Sequence, residues 1–157
     1  MVKIPTRFVE LTATITAEID AEPISPALAV KLDAKFPAVG PVFGELDALC
    51  HQGVAEGWLC EREHGGIKFG RPVRRGPATH GFSVDVVEMG DIEGPHDSHP
   101  YGEIDMVMPI DVEAAFDGMA KGWKVYAPRS AHHRTVRGGK ALVLYLLPEG
   151  AIEFTRR

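Results

Sequence analysis

Two polar segments of this sequence hold the side chains that could bind a metal ion or move protons. The first runs from His96 to Pro109 and reads "HDSHPYGEIDMVMP", two histidines and three carboxylates placed around an apolar, strand-like run. The second reads "GWKVYAPRSAHHRTVRGG" and carries the adjacent pair His132 and His133. Neutral imidazole is a common ligand of divalent metals, and two or three histidines with one carboxylate leave a position open for substrate or water. The two segments together predict a metal centre or an acid–base site.

Strand parity divides the first segment into two faces. Residues two apart point to the same side of a sheet, so His99, Glu103 and Asp105 share one face. The opposite face holds Ile104, Met106 and Met108. We expect this apolar face to pack outside, against helices or a second subunit, where it suits a homodimer contact. The polar face then points inward, where such groups persist only when they are paired, hydrogen-bonded or bound to metal.

The elements that must position these residues change in character near residue 63. Before it, apolar residues recur at spacings of three and four: Phe8, Leu11, Ile15 and Ile19, then Leu28, Val30, Leu32 and Phe36, then Val42, Leu46, Leu49 and Val54. That spacing indicates amphipathic helices, and prolines at 23, 26, 37 and 41, with Ser25 as a candidate N-cap, divide them into three. After it, Gly and Pro turns separate strand-length segments such as "FSVDVVEM", "WKVYAP" and "ALVLYLL", a texture typical of a β-sandwich or barrel. We therefore predict a mainly β fold with α, in which a helical segment over 1–63 packs on a barrel over 64–157.

The composition narrows the classes of function. The chain has 157 residues, 45% of them hydrophobic, and a formal net charge of −5, which offers no positive field for nucleic acid or an anionic membrane. Its two cysteines, Cys50 and Cys60, lack zinc-site spacing and favour a reduced, cytosolic protein. No secretory signal is evident, and the longest apolar run, "ALVLYLLP", is shorter than a membrane span. We expect a cytoplasmic protein that binds neither nucleic acid nor membranes.

The two polar segments resemble the two-motif signature of the cupin superfamily, a small double-stranded β-helix barrel that often binds a metal with His and Glu. Gly122 and Pro128 have the spacing of the second motif, and His99 and Glu103 that of the first. The first His position of the motif falls on Asp97, unless His96 reaches in through a bulge. The resemblance implies one divalent metal ion and no organic cofactor. Its implied ligands come from His96, His99, Glu103, His132 and His133, and only one of the adjacent pair is expected to face inward.

More narrowly, "HPYGEIDMVMP", "GWKVYAPRSAHHRTVRGG" and "ALVLYLLPEGAIEF", placed behind a helical segment, resemble the 4-hydroxylaminobenzoate lyase family. Its members convert 4-hydroxylaminobenzoate to 3,4-dihydroxybenzoate (protocatechuate) and ammonia in bacterial nitroaromatic degradation. The resemblance implies a lyase acting on a small aromatic acid. The catalytic residues we predict for such a lyase are His99, Glu103, His132 and Asp105.

The carboxylate of such a substrate calls for an arginine, whose planar fork can bind both oxygens. Five arginines lie near the predicted strands, and the sequence does not distinguish them: Arg71, Arg74, Arg75, Arg129 and Arg134. The substrate-binding candidates are Arg71, Arg75, Arg129, Tyr101 and Tyr126. Two other functions stay open, namely another metal-dependent cupin enzyme, such as an isomerase or dioxygenase on a small aromatic or carboxylic acid, and a non-catalytic cupin that binds a small molecule.

Overall fold

The structure is a computed structural model that describes residues 3–155. Three helices come first: α1 Thr6–Ile19, α2 Pro26–Lys35 and α3 Pro41–Glu56. Pro26 and Pro41 occupy first-turn positions, where the missing N–H breaks no intrahelical bond and the fixed φ favours the helix. Ser25 is the N-cap residue of α2, although its side chain makes no capping hydrogen bond. The prediction of three helices punctuated by proline is confirmed.

Eight strands follow the helices. They are β1 Arg62–His64, β2 Ile67–Val73, β3 Phe82–His99, β4 Glu103–Pro109, β5 Ala115–Phe116, β6 Gly122–Tyr126, β7 Ser130–Pro148 and β8 Glu153–Phe154. A short 3-10 helix, Pro77–Thr79, lies between β2 and β3. Every strand pair is antiparallel, and the main order is β1-β2-β3-β7-β4-β6, with β5 on β7 and β8 on β3.

The long strands β3 and β7 form the backbone of the barrel. They pair over most of their length, and the register shifts between Gly90 and Ile92 and again between Glu93 and His96. Such bulges bend a strand and increase its twist, so each long strand can serve two parts of a curved sheet. The prediction of a mainly β, cupin-like barrel preceded by helices is confirmed.

The helices cover the outer face of the sheet. Apolar residues of all three helices and of β3, β4, β6 and β7 form one core, and the indole Nε1 of Trp123 on β6 donates to the carbonyl of Phe36 after α2 (2.8 Å). One predicted helix position is wrong, because Val30 is 73% exposed. On α3 the predicted Leu46 is fully buried, and Val42, Leu49 and Val54 pack partly buried against the core. Phe43, Cys50 and Gly53 of α3 are buried as well.

The apolar face of β4 was expected to pack against the helices or a second subunit, and the structure shows that it packs against the helices. The side chains of Ile104, Met106 and Met108 are fully buried in the core shared with the helices. They are therefore covered within the chain and unavailable to a second subunit. Between residues 3 and 155 there is no helix with the length and apolar character needed to cross a membrane.

Candidate active site

Three strands bring polar side chains together inside the barrel. Asp97 and His99 end β3, Glu103 and Asp105 begin β4, and His132 lies on β7 directly opposite Asp97 in the antiparallel register. The first four are fully buried, and the His132 side chain is 14% exposed. We call these five residues the inner cluster. Of the residues predicted to be catalytic, the structure thus brings together all four.

A tight turn places His99 beside Glu103. The amide of Gly102 donates to the carbonyl of His99 (3.1 Å), and Gly102 has a φ of 94°. A Cβ at this position would lie 2.5 Å from Cγ2 of Ile24 and 2.9 Å from the carbonyl oxygen of Tyr126. Only glycine fits here, because both the backbone conformation and the space exclude a side chain.

The polar atoms of the inner cluster face one another at short range. His99 Nε2 lies 3.0 Å from Asp97 Oδ1 and 2.9 Å from His132 Nε2. His132 Nε2 lies 3.5 Å from both Asp97 Oδ1 and Glu103 Oε2, and His99 Nδ1 lies 3.4 Å from Glu103 Oε1. Two imidazoles and two carboxylates therefore point at one small volume.

This donor set fits a divalent metal ion. Asp97, His99 and His132 each offer a ligand atom, and these atoms lie within 4.8 Å of one another. Ligands about 2.1 Å from a common ion are separated by roughly 3.0–3.4 Å, close to the spacing seen here. Asp97 Oδ1 and Glu103 Oε2 are also buried without a hydrogen-bond partner, a costly state that a bound cation would relieve. The residues present can thus hold a metal.

Arg134 supplies a buried positive charge beside the inner cluster. Its Nε lies 2.6 Å from Asp97 Oδ2 and its Nη2 donates to Glu103 Oε1 (3.3 Å). The guanidinium also stacks on the ring of Tyr145, 4.0 Å from the ring centroid. Arg134 therefore offsets the negative charge of two carboxylates that are buried from bulk solvent.

The neighbouring carboxyl groups of Glu103 and Asp105 hold their protons differently. Burial raises the pKa of Glu103, but contact with His132 and the charge of Arg134 outweigh it, so that its pKa lies below the ordinary value. Burial and the charge of Glu103 raise the pKa of Asp105 well above its ordinary value. The pair is thus a carboxylate beside a carboxylic acid, an arrangement that separates the roles of acid and base.

His132 is held from outside the inner cluster. Its Nδ1 lies 2.7 Å from Asp117 Oδ2, and the hydroxyl of Tyr126 donates to the same oxygen (2.5 Å). Burial lowers the pKa of His132, but its contacts with Asp117 and Glu103 outweigh this and raise the pKa to about 9. The Tyr126 hydroxyl, predicted to contact substrate, is thus directed at Asp117.

The adjacent histidine pair points in two directions, as parity requires. His133 Nδ1 lies 3.1 Å from the carbonyl of Gly94, and its ring contacts that of His96 at a centroid distance of 4.9 Å. The Nδ1 of His96 also contacts the hydroxyl of Thr155. The structure therefore gathers His132 into the inner cluster and leaves His96 and His133 outside it.

A cavity of about 1100 Å³ reaches Arg134, the partner of Asp97 and Glu103, and its described lining includes none of the five inner-cluster residues. Its apolar wall includes Phe69, Val87, Met89, Ile92, Ile152 and Phe154. Four arginines line it, and they differ in their partners. Arg134 faces the inner cluster, and Arg71 pairs with Asp85 through two hydrogen bonds (2.6 and 3.0 Å). Arg62 and Arg74 have no ion-pair partner among residues 3–155.

The other predicted substrate contacts lie elsewhere in the described part of the chain. Arg75 pairs with Glu149 (2.6 Å) and does not line the cavity. Arg129 is exposed, and its backbone amide donates to the carbonyl of His99 (2.7 Å). Tyr101 is 54% exposed. Of the predicted substrate-binding residues, the structure brings Arg71 to the cavity.

Two residues of the site were named from the sequence without the role that the structure gives them, and two were not named at all. Asp97 shares parity with His99, and Arg134 shares parity with His132, so both carried a sequence signal. Asp117 follows the two-residue strand β5 and Tyr145 lies in an apolar strand, so neither carried one. The roles of Asp117 and Tyr145 depend on which strands lie next to each other in the folded protein.

Sequence comparisons with known proteins identify one family. A protein-family model described as "PnbB: 4-hydroxylaminobenzoate lyase" matches residues 10–154. A 4-hydroxylaminobenzoate lyase of Pseudomonas putida is 32% identical over 140 residues, covering 78% of this chain and 80% of the relative. A 4-hydroxylaminobenzoate lyase of Nocardioides sp. (strain LMS-CY) is 33% identical over 129 residues, covering 74% and 76%. The solved structure of the polyketide cyclase RemF from Streptomyces resistomycificus aligns with 59% of this chain and 73% of its own, at 11% identity and a TM-score of 0.43.

Proposed function

We propose that this chain, which belongs to the 4-hydroxylaminobenzoate lyase family, converts 4-hydroxylaminobenzoate to 3,4-dihydroxybenzoate and ammonia. The observation that carries this proposal is the similarity to two lyases of that name, each over about three quarters of the chain. A largely apolar cavity that reaches Arg134, the partner of Asp97 and Glu103, supports it, since a small aromatic substrate requires an apolar pocket with a few polar groups.

The reaction needs water and protons but no oxidant. The substrate loses its N–O oxygen as water, a second water adds to the ring carbon ortho to nitrogen, and hydrolysis of the resulting imine releases ammonia. Two waters enter and one leaves, so the substrate plus one water equals the two products. The protein must therefore protonate the departing oxygen, accept a proton from each attacking water, and hold the ring in place.

The cavity positions the substrate. We place its carboxylate near the arginines of the cavity, where Arg71 is already paired with Asp85, and Arg62 and Arg74 have no counter-charge among the residues described. The ring lies on the apolar wall, and the hydroxylamino group points toward Arg134. We assign the carboxylate contact chiefly to Arg74, the unpaired arginine that is also among the five sequence candidates, because an unpaired guanidinium loses no existing ion pair when it binds an anion.

Glu103 and Asp105 provide the proton transfers. Glu103 is the proposed base for attacking water, and Asp105 is the proposed proton store that returns a proton through Glu103 to the departing oxygen. A positioned acid or base of this kind contributes roughly a hundredfold or more in rate.

The proposed metal ligands are Asp97, His99 and His132, with Glu103 beside them. A divalent cation held there supplies Lewis acidity toward an oxygen atom of substrate or water. Arg134 keeps Asp97 and Glu103 in place between turnovers. We propose one such ion and no organic cofactor.

The wider proposals concern the state of the protein in the cell. We propose that it is a cytoplasmic homodimer in which the helical segment over 1–63 and the barrel over 64–157 act as one unit. Sedimentation of the purified protein measures the subunit number, and a monomer at micromolar concentration would contradict the dimer.

A product assay tests the proposed function. Purified protein with added metal should release ammonia and 3,4-dihydroxybenzoate in equal amounts from 4-hydroxylaminobenzoate, without oxygen uptake. Glu103→Gln removes the proposed base and should lower kcat about a hundredfold or more, whereas Glu113→Gln, an exposed acid outside the cluster, should not. Folded, metal-supplied protein that forms neither product would refute the proposal.

A further inference from the structure

Asp117 belongs to neither the predicted site nor the inner cluster, yet it contacts His132 more closely than any cluster residue does. We propose that Asp117 is a positioning residue that fixes the tautomer of His132, with the proton on Nδ1 and the lone pair of Nε2 directed into the inner cluster. This inference deepens the proposed function, since it rests on His132 acting in that site.

The contacts around His132 assign its two nitrogens to different partners. Nδ1 lies 2.7 Å from Asp117 Oδ2, a normal hydrogen-bond distance. Nε2 lies 2.9 Å from His99 Nε2 and 3.5 Å from Asp97 Oδ1. A carboxylate can only accept, so Nδ1 must carry a proton to bond with it. Neutral His132 therefore presents an unprotonated Nε2 to the other donors.

Asp117 is itself held firmly enough to impose this choice. The Thr135 amide donates to its Oδ1 (2.9 Å), and the Tyr126 hydroxyl donates to its Oδ2 (2.5 Å). The backbone amide of Asp117 donates to the carbonyl of Thr135 (2.7 Å), which ties the segment after β5 to β7. The Tyr126 ring also packs on the His132 ring, with a centroid distance of 4.1 Å.

Asp117 therefore holds His132 in the tautomer that a metal ligand needs, with Nε2 unprotonated. Metal-binding histidines commonly donate their second N–H to a carboxylate, and removing that partner weakens metal binding by about 10- to 100-fold. Without Asp117, His132 is free to carry its proton on Nε2, where it would face the shared centre and block coordination. Asp117 thus acts through His132.

Asp117→Asn is the informative substitution. Asn has the same shape, and at a φ of 48° it is one of the residues that tolerate the left-handed region. Its amide nitrogen can turn toward His132 and favour the opposite tautomer. Zinc affinity, measured by chelator competition, should fall about 10- to 100-fold, while the exposed-acid control Glu113→Gln should stay within about twofold of the parent. Unchanged zinc affinity in Asp117→Asn would overturn the proposal.

NMR of the ring nitrogens tests the tautomer directly. In ¹⁵N-labelled parent protein loaded with zinc, His132 should show a proton on Nδ1 and none on Nε2. If the parent takes up no zinc, a spectrum recorded at a pH where the His132 ring is observed to be neutral should show the same tautomer. A proton on Nε2 in the parent would overturn the proposal even if Asp117→Asn failed to fold.

Tyr126→Phe separates Asp117 from its support. The phenol hydroxyl is lost but the ring stays, so the His132 Nδ1 proton should persist and zinc affinity should fall less than in Asp117→Asn. An equal or larger fall would place the positioning role on Tyr126 and contradict the assignment. Loss of lyase activity is not a readout here, so an Nδ1–H tautomer in a protein without lyase activity would reject the proposed function and keep this inference.

Discussion

Replacing Arg134 with methionine should destabilise the metal-free protein and spare the metal-loaded one. The substitution keeps an apolar side chain against Tyr145 but removes the positive charge beside Asp97 and Glu103. Both carboxylates are fully buried, so water cannot replace the lost partner. A divalent cation between them can.

The size of the effect follows from the geometry. At an effective dielectric constant of about 20, unit charges 2.6 Å apart, as Arg134 Nε and Asp97 Oδ2 are, attract by roughly 6 kcal/mol. Burying the guanidinium offsets part of this attraction, and breaking a buried pair from one side typically costs about 3–5 kcal/mol. We expect a loss of that size in the free energy of unfolding of chelator-treated Arg134→Met.

Urea denaturation at neutral pH, with chelator and with excess zinc, measures both states. Zinc at a thousandfold over its dissociation constant stabilises a folded site by about 4 kcal/mol, enough to recover most of the loss. Arg134→Lys is the matched control, because it keeps the charge while losing the fork, and it should be destabilised less. A loss below about 1 kcal/mol in metal-free Arg134→Met would refute the view that Arg134 compensates buried carboxylates.

Three further predictions concern other parts of the molecule. Met106→Ala should lower the free energy of unfolding by about 2–5 kcal/mol, because the side chain is fully buried beneath the helices. The sedimentation coefficient should stay unchanged. A changed subunit number with intact stability would mean that this face contacts a second subunit. Arg74→Gln should raise KM for 4-hydroxylaminobenzoate about tenfold, which corresponds to roughly 1.4 kcal/mol, and should not affect KM for an arylhydroxylamine that lacks the carboxylate. Arg75→Gln is the control and should leave KM unchanged, because the Arg75 guanidinium pairs with Glu149. The reverse result would assign the carboxylate contact to Arg75. Burial raises the pKa of Cys60 from 9.0 to about 12, so between these pH values the folded state binds more protons than the unfolded state. The free energy of unfolding should therefore fall as pH rises, by up to about 1.4 kcal/mol per pH unit from this group. In urea titrations Cys60→Ala should show a shallower fall over that range, and an identical slope would contradict this role of Cys60.

Local sequence patterns predicted where the helices begin better than they predicted which residues of each helix are buried. Proline placed the starts of α2 and α3 because it suits the first helical turn and little else in a helix. The prediction for α3 included Leu46 but not the equally buried Phe43 and Cys50, because the sequence of this helix carries two overlapping apolar stripes. The choice between them comes from packing: a Cβ on Gly53 would lie 2.7 Å from Leu59 and 2.9 Å from Trp58, so this glycine lets α3 approach the segment that follows it.

The His-rich stretch shows a similar limit. "GDIEGPHDSH" resembles a turn because of its Gly and Pro residues, yet it continues β3 through two bulges. Parity still grouped His99 with Glu103 and Asp105 correctly, because the turn at Gly102 returns the chain with the same side facing inward. Parity could not show which of His132 and His133 faces inward, since that depends on the register of β7 against β3. Asp117 was beyond prediction, because its partner lies 15 residues away on another strand.

Isotope labelling of the product tests the central claim most directly. Purified, metal-supplied protein is incubated with 4-hydroxylaminobenzoate in ¹⁸O-water under nitrogen, and the ¹⁸O content of the 3,4-dihydroxybenzoate is measured by mass spectrometry. Water addition followed by imine hydrolysis predicts two heavy hydroxyl oxygens per molecule, with one ammonia released. A product with one heavy oxygen, a need for molecular oxygen, or the absence of this product would contradict a lyase reaction driven by water at the inner cluster.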